Sequence, residues 1–195
     1  ATEEEANAYL GVKQEIAGNY NTDEITDNKL LAYVDGSFDE TLGKYAFGCI
    51  IITPNGETIK EFGNGDNPES LAIRNVAGEM LGAMYAVKWA VKNGYDNIEL
   101  HYDYEGIEKW AVGEWKAKNT LTQKYVAFMN EQQSIIRINF QKVKAHTGDF
   151  YNEEADQLAK KALTEGKGIP KIKRGDFWFT VAGISEDDFK TIVEL

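Results

Sequence analysis

The stretch Leu30–Glu40, LLAYVDGSFDE, decides the fold. An apolar run drives into Asp35 and stops on Gly36, with Asp39 and Glu40 close behind. It reads as a buried strand that ends on a carboxylate. Asp-Gly is a common turn pair, so a turn is the first explanation of the arrangement, and a cation held at the strand end is the other. Outward from this strand, KYAFGCIIIT (Lys44–Thr53) is rich in β-branched and aromatic residues and reads as a second strand. ETIKEFGN (Glu57–Asn64) reads as a third, and Asn55-Gly56 between them is a hairpin signal. Three antiparallel strands therefore come first.

The period then changes. In the segment from Ser70 to Gly94, Val76, Met80, Ala83, Met84, Val87, Ala90 and Val91 recur at helical spacing, and Gly94 is a stop signal. NIELHYD (Asn97–Asp103) reads as a strand, followed by a helical stretch around Trp110 and a helix from Thr120 to about Ser134. IIRINFQKV (Ile135–Val143) alternates as a strand does. A last strong helix carries Ala155, Leu158, Ala159, Ala162 and Leu163 on one stripe. The order predicts an α/β protein with a mixed five-stranded sheet, three antiparallel strands and then α/β crossovers, with helices on both faces. Residues 1–28 read as an acidic helix and linker, and residues 167–195 as an extension with a strand and a short helix.

The chain has 195 residues, enough for one domain with a substantial core. A single cysteine excludes an intrachain disulfide and fits a reducing, cytoplasmic setting. No apolar run approaches membrane-spanning length. The net charge of −11 argues against an anionic partner until its distribution is read. Residues 109–174 carry thirteen Lys and Arg against seven Asp and Glu, while the rest of the chain is acidic. That split is compatible with carboxylates that hold cations beside a surface that holds an anion, although on charge alone a solvated lysine face is the better reading.

Each notable acid has an ordinary reading on its own. Asp35 suits a turn, and Asp103 suits a helix N-cap. Asp156 suits an i,i+4 ion pair with Lys160, and Glu105 and Glu108 read as surface charges. Glu79 is the odd one. It sits in AGEMLGAMYA with small and apolar neighbours on nearly every side and no cation within a turn. Together the four change the reading. With the first and fourth strands as neighbours, Asp35 and Asp103 project from the same sheet edge, where ligands of open α/β sheets gather. Glu79 and Asp156 reach that edge from the two major helices. Four carboxylates at one place repel unless a cation compensates, and the fitting occupant is a hard divalent ion, magnesium foremost. With one Cys and two His, zinc-site spacing is absent.

The blocks YVDGS with Asp35, RNVAGEM with Glu79, LHYD with Asp103, and KAHTGDFYNEEADQLAKKA with His146 and Asp156 resemble cellular ribonuclease H of type 1, in its compact bacterial-like branch. The resemblance runs from about Lys29 to Gly166, which would make residues 29–166 the catalytic domain. It implies an endonuclease that cuts the RNA strand of an RNA/DNA hybrid with two magnesium ions (manganese as a substitute), leaving 5′-phosphate and 3′-hydroxyl ends. Carried over by position, Asp35, Glu79, Asp103 and Asp156 would be the metal ligands, with Asp35 bridging two ions about 4 Å apart. His146 would assist proton transfer or product release. Asn75 would contact the hybrid in the minor groove, where 2′-hydroxyls distinguish RNA from DNA. Gly36 and Ser37 would let the backbone approach the RNA strand. Trp110 would serve as core or as a wall of the DNA channel. Lys116, Lys118, Lys142 and Lys144 are candidates for phosphate contacts. The protein is expected to act as a monomer away from membranes.

Three departures from the family pattern stand out. Tyr104 follows Asp103 where many members carry Ser, FDETLGKY lacks the usual Asn-Pro-Gly character, and the tail after Gly166 has no counterpart. TEEEANAYL resembles the end of a hybrid-binding module that precedes some members, which implies a longer natural N-terminus. Two further readings compete with the hybrid-cutting enzyme. One is a nuclease of the same fold with another nucleic-acid substrate, and the other a non-catalytic nucleic-acid-binding module.

Overall fold

The computed structural model describes residues 29–144, 149–174, 177–178 and 192. The expected N-terminal helix and linker, His146 and nearly all of the expected C-terminal helix lie outside them. Strands β1 (Lys29–Asp39), β2 (Lys44–Ile52) and β3 (Thr58–Gly65) form the antiparallel meander. A one-turn helix α1 (Pro68–Leu71) precedes the long helix α2 (Asn75–Lys92). There follow β4 (Asn97–Tyr102), α3 (Gly106–Ala111), α4 (Thr120–Gln133), β5 (Arg137–Lys142) and α5 (Phe150–Glu165). Beyond α5, β6 (Lys173–Arg174) pairs with β7 (Phe177–Trp178).

The sheet order is β3-β2-β1-β4-β5, with β4 parallel to both β1 and β5. This is the mixed sheet that the alternating and helical periods predict. Side chains alternate between its two faces. Leu30, Ala32, Val34, Phe47, Cys49, Ile98 and Leu100 join the main core with Met80, Leu81, Met84 and Val87 of α2. Leu31, Tyr33, Ile50 and Ile52 form a second cluster with Tyr151, Ala155 and Leu158 of α5.

Two features differ from the sequence reading. The segment from Ser70, read as helical from Val76 on, is two helices rather than one. Arg74 has φ 55° and ψ −131°, α1 ends before it, and α2 starts after it. In addition, α2 is buried almost all round rather than on one stripe, because α3, α4 and Ile169 and Ile172 of the tail pack on the same core. Among the described residues no helix is long and apolar enough to cross a membrane.

Candidate active site

The last paired residues of the parallel β1–β4 ladder are Tyr33 and His101. Beyond them β1 continues beside β2 to Asp39, while β4 ends at Tyr102. Asp35 therefore does not end its strand, as the apolar run suggested. It lies within β1 opposite Gly48, at the point where β1 and β4 part. Asp103 is the first residue past β4. Each acid is two residues beyond the Tyr33–His101 pair, and the two lie together at the sheet's parting edge.

Glu79 arrives from α2, and two glycines let it. A Cβ on Gly36 would lie 2.2 Å from the Asn75 carbonyl and 2.5 Å from the Glu79 nitrogen, and one on Gly78 would lie 2.0 Å from the Ala46 carbonyl. The first turns of α2 thus rest directly on the β1–β2 backbone. Glu79 is only 3% exposed. Its Oε1 accepts hydrogen bonds from the backbone N–H of Asp103 at 2.9 Å and of Tyr104 at 3.4 Å. Asp156 arrives from α5 by the same device on the other face. A Cβ on Gly48 would lie 2.2 Å from the Ala155 carbonyl, so α5 lies against β2 at the residue opposite Asp35. Asp156 also forms the expected ion pair with Lys160, at 2.9 Å.

One carboxylate oxygen from each of Asp35, Glu79 and Asp103 lies within 4.8 Å of the others. Burial first, and then the charge of Asp103, raise the pKa of Asp35 from its ordinary 3.8 to about 7. The Gly36 N–H, donating to Oδ1 at 2.8 Å, works against that rise, and the charge and hydrogen bonding of Asp156 add to it. Burial and then Asp103 also hold Glu79 well above the usual carboxylate range, against the N–H groups of Asp103 and Tyr104. The donors are all hard oxygens and they repel one another, which a divalent cation relieves. One oxygen of Glu79 is occupied by backbone N–H groups, and the other is left for a cation. The residues fit a divalent metal.

Around the cluster, Gly36 and Ser37 are half-buried in β1, and Asn75 is exposed at the first position of α2. Trp110 is half-buried, with its ring 5.8 Å from Tyr104 and 5.7 Å from Trp115, and it packs on the edge of the main core. Tyr104, also 6.3 Å from Trp115, belongs to the same aromatic group. Lys116 and Lys118 are exposed after α3, and Lys142 and Lys144 are exposed at and beyond the end of β5. Glu108 is not the free surface charge expected of it, because it accepts a hydrogen bond from the Tyr102 hydroxyl. Sequence reasoning passed over Tyr33, His101, Gly48 and Gly78. Counting back two residues from each strand acid finds the first two.

A mixed sheet in this order, with clustered acids where β1 and β4 part, defines the ribonuclease H-like nucleases. The RNase H family profile matches residues 27–164. A ribonuclease H of Wolbachia pipientis wMel is 41% identical over 152 residues, covering 72% of this chain and 99% of that protein. The RNase H1 of the halophilic archaeon Halobacterium salinarum NRC-1 superposes with a TM-score of 0.58 at 24% identity, covering 69% of this chain and 97% of that one. LC11-RNase H1, solved in complex with an RNA/DNA hybrid, superposes with a TM-score of 0.56 at 18% identity, over 69% and 96% of the two chains. The chain belongs to the RNase H family that its motifs resembled.

Proposed function

We propose that this protein is an endonuclease that hydrolyses the RNA strand of RNA/DNA hybrids in a magnesium-dependent reaction, leaving 5′-phosphate and 3′-hydroxyl ends. The observation that carries the reading is the convergence of Asp35, Glu79 and Asp103 to within 4.8 Å, with Asp156 beside Asp35. The hybrid bound by LC11-RNase H1 supports the substrate.

Asp35, Glu79, Asp103 and Asp156 would hold the metal, with Asp35 flanked by both other aspartates. Two magnesium ions there, or manganese in their place, would supply the positive charge that activates a water and stabilises the leaving 3′-oxygen. The chain's own task is to keep the carboxylates ionised, close and aimed. The Gly36, Asp103 and Tyr104 N–H groups serve that task by donating to Asp35 and Glu79. Asn75, at the tip of α2, would read the minor groove, and Gly36 and Ser37 would approach the RNA sugar-phosphate chain. Trp110 would flank the DNA strand, and Lys116, Lys118, Lys142 and Lys144 would contact phosphates. His146 would assist proton transfer or product release. We take the enzyme to act as a cytoplasmic monomer, in keeping with its lone buried thiol, Cys49.

The test is one cleavage assay that offers labelled RNA/DNA hybrid, duplex RNA and duplex DNA at the same magnesium concentration. Cleavage confined to the RNA strand of the hybrid is expected. Preferred cleavage of duplex DNA or duplex RNA would replace the substrate assignment, and tight hybrid binding without turnover would replace the enzyme.

A further inference from the structure

Asp35 and Asp103 are each preceded, two residues earlier, by a ring. Tyr33 and His101 are the last rung of the β1–β4 ladder. Their rings stack 4.1 Å apart and only 13° from parallel. Tyr151 of α5 adds a third ring 5.2 Å from Tyr33. His101 is held in place from behind. Its Nε2–H donates to Glu99 Oε2 at 3.1 Å, and Glu99 Oε1 accepts from Lys29 Nζ at 3.3 Å. The side chains of Glu99 and His101 are 10% and 14% exposed, so this pair is largely buried, while Lys29 reaches towards solvent.

Packing alone does not need such a chain, since two aliphatic residues would fill the same face without desolvating Glu99. Its position gives it a use. Immediately past the Tyr33–His101 rung, β1 and β4 have no further cross-strand pairing, and two residues on from each ring stand two carboxylates that repel. Nothing in the ladder beyond that rung fixes their separation. A flat ring stack, with one ring anchored by a hydrogen bond and the other backed by α5, resists both splaying and sliding of the two strands. We infer that the Tyr33–His101 stack, braced by Glu99 and Tyr151, is a positioning device that sets the spacing of the Asp35 and Asp103 carboxylates and thereby the affinity of the site for divalent cations. The inference rests on the reading of those carboxylates as metal ligands.

The test titrates magnesium into the full chain by calorimetry and, in parallel, into the hybrid-cleavage assay. His101→Ala is expected to weaken magnesium binding about tenfold. The half-saturating magnesium for cleavage should rise equally, with kcat at saturating magnesium unchanged. His101→Phe keeps a stacked ring without the N–H that anchors it to Glu99, and is expected to bind magnesium more tightly than His101→Ala and more weakly than wild type. His101→Gln keeps a hydrogen bond to Glu99 without the ring and is expected to behave as His101→Ala does, and it stands in should the alanine variant not fold. Magnesium affinity equal to wild type in His101→Ala or His101→Gln, with only a lower melting temperature, would overturn the inference and leave the pair as packing. If the wild type itself binds no magnesium, the metal-site reading fails and this inference fails with it, so the two failures are distinguishable.

Discussion

Asp35 shows how one residue carries both a cost and a use. It lies buried between Asp103 and Asp156, and its pKa rises from 3.8 to about 7. Without metal, the folded protein therefore binds this proton more tightly than the unfolded chain does. The stability so gained is complete below the ordinary value, is lost as pH climbs through about 7, and is level beyond. Thermal melts in chelator should fall across that window, by an amount on the order of a few kcal/mol. Added magnesium should stabilise more as pH rises, because the cation binds the ionised carboxylates and competes with protons. In Asp35→Asn the chelator profile should become shallower, keeping the slope that the burial of Glu61 and Glu79 supplies, the melting temperature above pH 8 should exceed that of wild type, and the magnesium response should shrink. A wild-type profile with no slope between pH 4 and 8 would contradict this electrostatic picture.

At the level of elements, the site depends on two helices pressed onto backbone rather than onto side chains. Gly48→Ala would place a methyl 2.2 Å from the Ala155 carbonyl, so α5 must rise from β2 and carry Asp156 away from Asp35. The variant should lose about 1–3 kcal/mol in urea unfolding. It should also lose up to about a hundredfold in cleavage rate, measured where it is still folded. Full activity in a stable Gly48→Ala would show that the position of α5 does not matter. Strand alternation, the Asn55-Gly56 turn and the change from period two to helical period made the sheet and its major helices legible in the sequence. The four acids were legible as a set because their elements could be placed. That Asp35 sits inside β1 was not legible, since alternation does not reveal which partner strand continues and which departs. The break at Arg74 was hidden because Leu71, Ile73 and Val76 continue an apolar pattern across it. The burial of α2 on nearly every side depends on α3, α4 and a tail distant in sequence, which local periodicity does not register.

On the scale of the molecule, the tail after α5 is tied into the domain through Asn64 of β3. Its Nδ2 donates to the carbonyls of Ala162 and Gly166 at 2.9 and 3.0 Å, and its Oδ1 accepts from the Gly168 N–H at 3.0 Å. Ile169, Ile172 and Ile192 are buried in the main core. We propose that the extension completes the catalytic domain. Asn64→Ala, which strands buried backbone groups, should cost roughly 1–3 kcal/mol in urea unfolding. Deleting residues 167–195 should cost more, and wild-type stability after that deletion would contradict the proposal. The acidic molecule with its basic segment should bind hybrid with a salt dependence set by few phosphate contacts. Replacing both Lys116 and Lys118 by Ala should lower the slope of log affinity against log salt by about 2. The central claim, that acids brought together from β1, α2, β4 and α5 cut RNA by holding divalent ions, is tested most directly by single-turnover cleavage of a hybrid labelled on its RNA strand. The wild type should cut it with magnesium, stop in chelator and recover when magnesium is restored, while Asp35→Asn binds the hybrid and leaves it whole. Cleavage that persists in chelator, or at the wild-type rate in Asp35→Asn, would contradict the account.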